Sequence, residues 1–467
     1  MDWIQWSIVL LGGILSLLGS INALLNKRDP RSALAWIAIC FALPFLGVLL
    51  YYMLGKNRIQ TRAKRLLPRE TQISVPETKL APAKINSNFT NLARLAAAVS
   101  RRSLMTGNMV QPLFNGEQSY PAMLAAIRAA KKYIYLTTYI FGTGKLGREF
   151  VAELGKAVQR GVVVKVLIDG FGVKYSFPRA SYLLRKAGVQ VALYLPPTLI
   201  PPNLTINLRN HRKLLLVDGR IGFTGGMNIR SNHLLRHARG GVKDVHFQLC
   251  GPILQQMESV FISDWIFTTR EGIEIHDSPT PVCNDNMSCR VLLEGPNEDM
   301  DNLIWVLVGA ISSAAHSIRL ITPYFLPSRE LEVALQTAAL RGVDVNVVLP
   351  GKNNLPFMKW ACNHILSDLL RAGVKVHYSP GPFAHTKLFV VDEYYTQLGS
   401  SNMDPRSLRL NFELVVEVYD QHLGKQMAAY IDHERDQAVP VTVQQLQERW
   451  FITRIRDAFF WLFSPYL

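Results

Sequence analysis

The chain has 467 residues, long enough for more than one domain with an ordinary core. Hydrophobic residues make up 49% and charged residues only 18%, which is greasier than a soluble enzyme. The net charge of +16 restricts its partners to anionic ones: nucleic acid, anionic lipid or acidic substrates.

The first elements decide between these. Residues 3–25 and 32–55 contain no charged side chain. Each run exceeds the roughly 20 residues needed to cross a bilayer core. Trp3, Trp6, Trp36, Tyr51 and Tyr52 lie near the run ends, where interfacial aromatics sit. A cleaved signal peptide fits poorly, because no basic segment precedes the first run and the run is too long. The pattern predicts a two-helix transmembrane hairpin over residues 1–57, its second span kinked at Pro44. Lys27, Arg28 and Arg31 lie between the runs. Lys56, Arg58, Arg62, Lys64, Arg65 and Arg69 follow the second. The heavier positive side is the cytoplasmic one, which places the bulk of the chain in the cytoplasm. Five Cys without metal-ligand or framework spacing fit a reducing compartment.

Residues 58–107 read as a Pro-punctuated linker leading to a helix. Helical and β-branched stretches then alternate, the mark of an α/β architecture. The chain repeats itself. "AVQRGVVVKVLIDG" at 157–170 matches "AALRGVDVNVVLPG" at 338–351 at seven of fourteen positions. "LLRKAGVQVALY" at 183–194 echoes "LLRAGVKVHY" at 369–378. One α/β unit is therefore expected twice, over 108–280 and 290–437. The first copy carries about eleven extra residues in "LPPTLIPPNLTINLRN" (195–210), either a plain surface loop or an apolar lip over the site. The C-terminal segment 440–467 is aromatic-rich and amphipathic, and reads as a helix that either packs on the domain or lies in the membrane interface, the upstream spans favouring the interface.

Within the repeat, "HRKLLLVDGRIGFTGGMN" (211–228) and "HTKLFVVDEYYTQLGSSN" (385–402) share one spacing. A strand directs residues i and i+2 to one face, so His211 and Lys213 point together, as do His385 and Lys387. Asn228 and Asn402 return as amide donors. Two such units facing each other suit a phosphoryl group: Lys and Asn bind the non-bridging oxygens, one imidazole attacks phosphorus, and the other serves as acid and base. Asp244 and Glu413 follow the motifs on predicted strands, and each can orient a catalytic imidazole. Asp218 and Asp392 complete the motifs at strand-to-turn junctions, where a turn-forming role suits them. No His, Cys or Glu cluster has metal-ligand spacing, so chemistry without metal or cofactor is expected.

The two motifs, with "TPYFLPS" (322–328), "NMDPRSLRLNFE" (402–413) and the N-terminal hairpin, resemble the phospholipase D superfamily, and over essentially the whole chain its bacterial cardiolipin synthases. The resemblance implies two phospholipase D-like α/β domains with one shared active site. It implies transfer of a phosphatidyl group between two phosphatidylglycerol molecules, giving cardiolipin and glycerol through a phosphohistidine. By the same analogy His211 is the nucleophile and His385 the acid and base; Lys213, Asp218, Lys387 and Asp392 complete the catalytic set, with Asn228 and Asn402 binding phosphate. It implies phosphatidylglycerol and anionic membrane lipid as partners, and a bacterial inner-membrane location. A phospholipase D hydrolase and a transferase using another alcohol share the first step. A nuclease suits the charge but not the apolar runs, so no nucleic-acid partner is expected.

Overall fold

The computed structural model describes residues 2–27, 29–55, 85–197, 208–236, 240–273, 283, 285–295 and 301–464. Two compact units divide the chain, residues 1–66 and 67–467.

In the first unit, helix Trp3–Asn26 is long and apolar enough to cross a membrane. Its inner stripe is small: Gly12, Ser16, Gly19, Ser20 and Ala23 are buried. A Cβ on Gly19 would lie 3.2 Å from the Cys40 sulfur, so glycine sets how closely the second segment approaches. Ser16 Oγ donates to the Cys40 carbonyl at 2.6 Å across that seam. The second apolar run is not one helix. Helix Pro30–Ala42 ends before Pro44, and a short helix Leu46–Leu50 and a π turn Tyr51–Gly55 continue it. Proline cannot donate to the preceding turn, which is why the break falls there. Trp3 and Leu25 are 79% and 77% exposed, and most of the exposed residues between them are large and apolar, Ile4, Leu10 and Leu18 among them.

The second unit is built on one 15-stranded sheet. Its strands in the first half are β1 (Met105–Phe114), β2 (Tyr133–Thr138), β3 (Val163–Asp169), β4 (Gln190–Tyr194), β5 (Leu214–Val217), β6 (Ile221–Gly225) and β8 (Val245–Cys250), with β7 (Val242–Lys243) outside the main sheet. The second half repeats them as β9 (Met287–Glu294), β10 (Ser317–Ile321), β11 (Asp344–Pro350), β12 (Lys375–Ser379), β14 (Leu388–Val391), β15 (Tyr395–Gly399) and β16 (Glu413–Tyr419), with β13 (Phe383–Ala384) as the counterpart of β7. A short β17 (Val439–Pro440) closes one edge. The order from that edge is β17-β12-β11-β10-β14-β15-β16-β9-β1-β8-β6-β5-β2-β3-β4. It reads as the same sequence of strands outward from the central antiparallel β9–β1 pair, so the predicted duplication is a two-fold pseudosymmetry of the sheet.

Each half has its own core of helices on buried strands, around Ile134, Val166 and Phe150 in the first and around Ile318, Val347 and Leu366 in the second. The boundary expected at 108 moves. Strand β1 starts at Met105, and helix Thr90–Ser100 buries Leu92, Ala93 and Ala96 in the second half's core, so the part of the expected linker from residue 85 onward is structured. The rest of that linker from residue 56, and 198–207 of the apolar insertion, lie outside the described residues. The C-terminal segment is two helices, Val443–Gln447 and Phe451–Trp461, not one. The cysteines also depart from expectation: Cys250 at the end of β8 is bonded to Cys283. Thirty-three residues separate them, too far for a spacing pattern to reveal the pair. Cys40, Cys289 and Cys362 are free and buried.

Candidate active site

Both motif histidines stand just ahead of equivalent strands, β5 and β14, and are held by the opposite half. The His211 N–H donates to the Phe412 carbonyl at 3.0 Å, and the Phe412 N–H donates to the Arg209 carbonyl at 2.9 Å. The His385 N–H donates to the Lys243 carbonyl at 2.7 Å, continuing the β13–β7 pairing. Phe412 precedes Glu413 and Lys243 precedes Asp244. This backbone stitching delivers each carboxylate to the imidazole of the other half. His211 Nδ1 lies 2.9 and 3.0 Å from the two Glu413 oxygens. His385 Nδ1 lies 2.9 Å from Asp244 Oδ2. Glu413 and Asp244 thus each meet the imidazole of the opposite half.

The two carboxylates differ in surroundings. Burial disfavours the Glu413 charge, but His211, Lys213 and the Ser400 hydroxyl overcome it and hold its pKa below the ordinary value. Ser400 Oγ donates to Glu413 Oε2 at 2.5 Å. In the first half that position is Gly226, where a Cβ would fall 2.5 Å from Asp244 Oδ2. The Gly-for-Ser difference thus follows from which carboxylate lies alongside. Asp244 is pushed upward by burial, against the pull of Lys387 and His233. Both imidazoles have lowered pKa values, chiefly by burial.

Lys213 Nζ and Lys387 Nζ each donate to the carbonyl of the histidine two residues earlier, at 2.6 and 2.7 Å. Burial lowers Lys213 to about 7 and Lys387 to about 8, with Glu413 and Asp244 resisting. An ammonium binds a phosphodiester far better than an amine does. The kcat/KM of the free enzyme should therefore decline as pH rises through about 7 to 8, because that ratio reports free-enzyme pKa values. A profile flat to pH 10 would show that the lysines keep their charge.

Asn228 Oδ1 accepts from the Ile140 N–H at 3.0 Å, which turns its NH2 toward the cleft. Asn402 is held by Ser407, its Nδ2 lying 3.1 Å from the hydroxyl. Both amides line one cavity of about 860 Å³ together with His211 and His385. Among the described residues no His, Cys, Asp and Glu side chains gather in a group able to hold a metal ion.

Asp218 and Asp392, placed with the catalytic residues by the resemblance and read from their positions as turn formers, are at turns away from the imidazoles. They sit at the far ends of β5 and β14, with φ of 54° and 49°. The Asp218 carboxylate accepts the N–H groups of Lys131, Lys132 and Tyr133 at 2.8–2.9 Å, and Asp392 accepts those of Ala315, His316 and Ser317 at 2.8 Å. Each ties the entry of a neighbouring strand to the turn after its own. Sequence reasoning also missed cleft residues. His233, 3% exposed, has its ring 6.2 Å from that of His385. Tyr139 lies 5.4 Å from the His211 ring. Arg230 and Asp404 occupy equivalent places, two residues after Asn228 and Asn402, and both line the cleft. Only that shared offset could have flagged them.

Known proteins resemble this chain. The family described as "Cardiolipin synthase, PLD-like domain" matches residues 123–265 and 307–435, more than half of the chain. The "Phospholipase_D-nuclease N-terminal" family matches residues 14–56. The cardiolipin synthase of Staphylococcus aureus (strain N315) is 31% identical over 97% of this chain and 95% of its own. The major cardiolipin synthase of Bacillus subtilis (strain 168) is 30% identical over 97% of this chain and 99% of its own. Among solved structures, phosphatidylserine synthase of Haemophilus influenzae Rd KW20 superposes with a TM-score of 0.60 at 16% identity, covering 81% of this chain and all of that one. That likeness speaks for the fold.

Proposed function

The chain belongs to the phospholipase D-like cardiolipin synthase family, and we propose that it joins two phosphatidylglycerol molecules into cardiolipin with release of glycerol. The observation that carries this reading is the pair of crossed His–carboxylate contacts facing one cavity. His211 Nε2 attacks phosphorus, and the P–O bond to the departing glycerol breaks as His385 hands it a proton. The phosphatidyl group then rests on His211, with Lys213, Lys387 and Asn228 around the oxygens that gather charge. A hydroxyl of the second lipid gives its proton to His385, forms the new P–O bond, and frees His211. The Glu413 carboxylate, held ionised, suits the histidine that must carry positive charge in the intermediate. This supports His211 as the nucleophile. Chromatography of products from purified protein and phosphatidylglycerol, with a chelator present, tests the reading. Cardiolipin plus glycerol is the expected result. Phosphatidic acid alone would make the protein a hydrolase.

The N-terminal unit serves as a two-pass hairpin anchor in the bacterial inner membrane, and helix Phe451–Trp461 lies in its interface. Trp450, Phe451, Ile452 and Leu462 all present apolar surface to solvent, and such a face gains by entering the headgroup region. Phosphatidylglycerol and anionic lipid are the partners, and the surplus of basic residues favours such a leaflet. The heavier basic flank after the second run supports a cytoplasmic catalytic unit. The Cys250–Cys283 bond favours the oxidising face. One labelling experiment separates these. In inside-out vesicles, an impermeant maleimide should react quickly with Lys131→Cys and slowly with Phe451→Cys, which the bilayer shields. Reaction of Lys131→Cys only in right-side-out cells would reverse the orientation.

A further inference from the structure

The two halves carry different charges two residues after the motif asparagines, Arg230 in the first and Asp404 in the second. After Asn402 the Asp404 carboxylate accepts the Ser407 N–H at 2.7 Å and the Ser407 hydroxyl accepts from the Asn402 amide at 3.1 Å, while Asn402 Oδ1 is buried without a partner. After Asn228 the equivalent segment lines the cavity with groups that lack partners. Arg230 is half-buried, and its guanidinium makes no hydrogen bond or ion pair among the described residues. Asn232 Oδ1 and His233 Nδ1 are buried with no hydrogen-bond partner. Buried polar atoms are almost always satisfied, so such a cluster on a cavity wall signals a missing ligand.

The ligand chemistry follows from the groups. A free guanidinium fits a phosphodiester, and unpaired acceptor atoms fit hydroxyls. An acceptor phosphatidylglycerol carries both, because its own phosphodiester survives the reaction while one glycerol hydroxyl reacts. The location agrees. His233 lies against His385, on the side from which the acceptor hydroxyl must approach once His211 carries the phosphatidyl group.

We propose that Arg230–His233 is the seat of the acceptor lipid: Arg230 binds the acceptor's own phosphodiester, and Asn232 and His233 accept hydrogen bonds from its glycerol hydroxyls. The proposal rests on the transferase reading above, and it names what that reading leaves open, the basis of acceptor choice. A site built to hydrogen-bond a hydroxyl strongly rejects analogues that leave its polar groups unpaired. The equivalent position on the other side of the cleft carries a buried carboxylate, Asp404.

The test uses free glycerol, which has the hydroxyls but no phosphate. Purified full-length protein in mixed micelles with phosphatidylglycerol and radiolabelled glycerol reports two reactions at once: cardiolipin formation, and entry of label into phosphatidylglycerol. Arg230→Gln is expected to lower the ratio of cardiolipin to label entry about tenfold or more, the worth of one charge-assisted contact. Arg230→Lys should recover part of the ratio. His233→Ala should raise phosphatidic acid relative to cardiolipin, since water then competes for the phosphatidyl group. An unchanged ratio in Arg230→Gln, whether both reactions fall together or neither does, overturns the proposal. Absence of both reactions in the unaltered protein overturns the transferase reading instead, so the two failures are distinguishable.

Discussion

His211→Ala and His385→Ala should each lower cardiolipin formation by at least about a thousandfold, because each removes a group that acts in both half-reactions. The two losses differ in kind. With a phosphatidyl ester of a good leaving group such as nitrophenol, the first step needs no proton from the enzyme. His385→Ala should then release nitrophenol in a burst and stop, with the phosphatidyl group trapped on His211. His211→Ala should give no burst and no covalent adduct. Radiolabel in the phosphatidyl moiety, followed into the protein by denaturing electrophoresis, reads this directly. An adduct on the His211→Ala protein would exchange the two roles. Glu413→Gln keeps the shape of its partner but loses the charge that supports an imidazolium 2.9 Å away. It should cost about a hundredfold or more in turnover.

The second large effect is on stability, not chemistry. Asp218→Ala removes one carboxylate that accepts three backbone N–H groups at the entrance to β2. Hydrogen bonds to a charged group contribute about 1.5–3 kcal/mol each, and water can replace part of what the exposed Lys131 and Lys132 amides lose. A net loss of about 3–5 kcal/mol follows, visible as a large drop in the thermal unfolding midpoint. Asp392→Ala should behave alike, since its carboxylate makes the same three contacts in the second half. The protein that remains folded at low temperature should keep turnover within a few-fold of the original. A collapse of turnover in protein shown to be folded would return both aspartates to the chemistry.

The contrast between these two groups of residues shows what a sequence can carry. The repeated spacing exposes His211, Lys213, His385 and Lys387, because a strand's two-residue period ties spacing to direction. Asp244 and Glu413 are legible as imidazole partners for the same local reason. Their exchange between halves is not, because it is fixed by the pairing of His211 with Phe412, residues 201 apart, through one backbone hydrogen bond. Asp218 and Asp392 share the motif's regularity with the catalytic residues, and regularity alone does not separate a residue that holds a strand from one that meets substrate. Arg230 and His233 follow the repeated motif at positions where the two halves differ in residue type. They emerge only from the fold, which brings His233 against His385 and lines the cleft with Arg230. The break at Pro44 is legible in the sequence as a kink, and in the structure it ends the helix outright.

The exchanged carboxylates carry a consequence for the cell. Free phospholipase activity at a bilayer is hazardous, and a nascent chain exposes its first half to lipid well before the second is made. That first half holds His211 but lacks Glu413, and holds Asp244 without the histidine it serves. Neither fragment contains an oriented imidazole, so the chemistry stays locked until the central β9–β1 seam has closed. The crossing acts as an interlock: the protein cannot cut a lipid before it is finished.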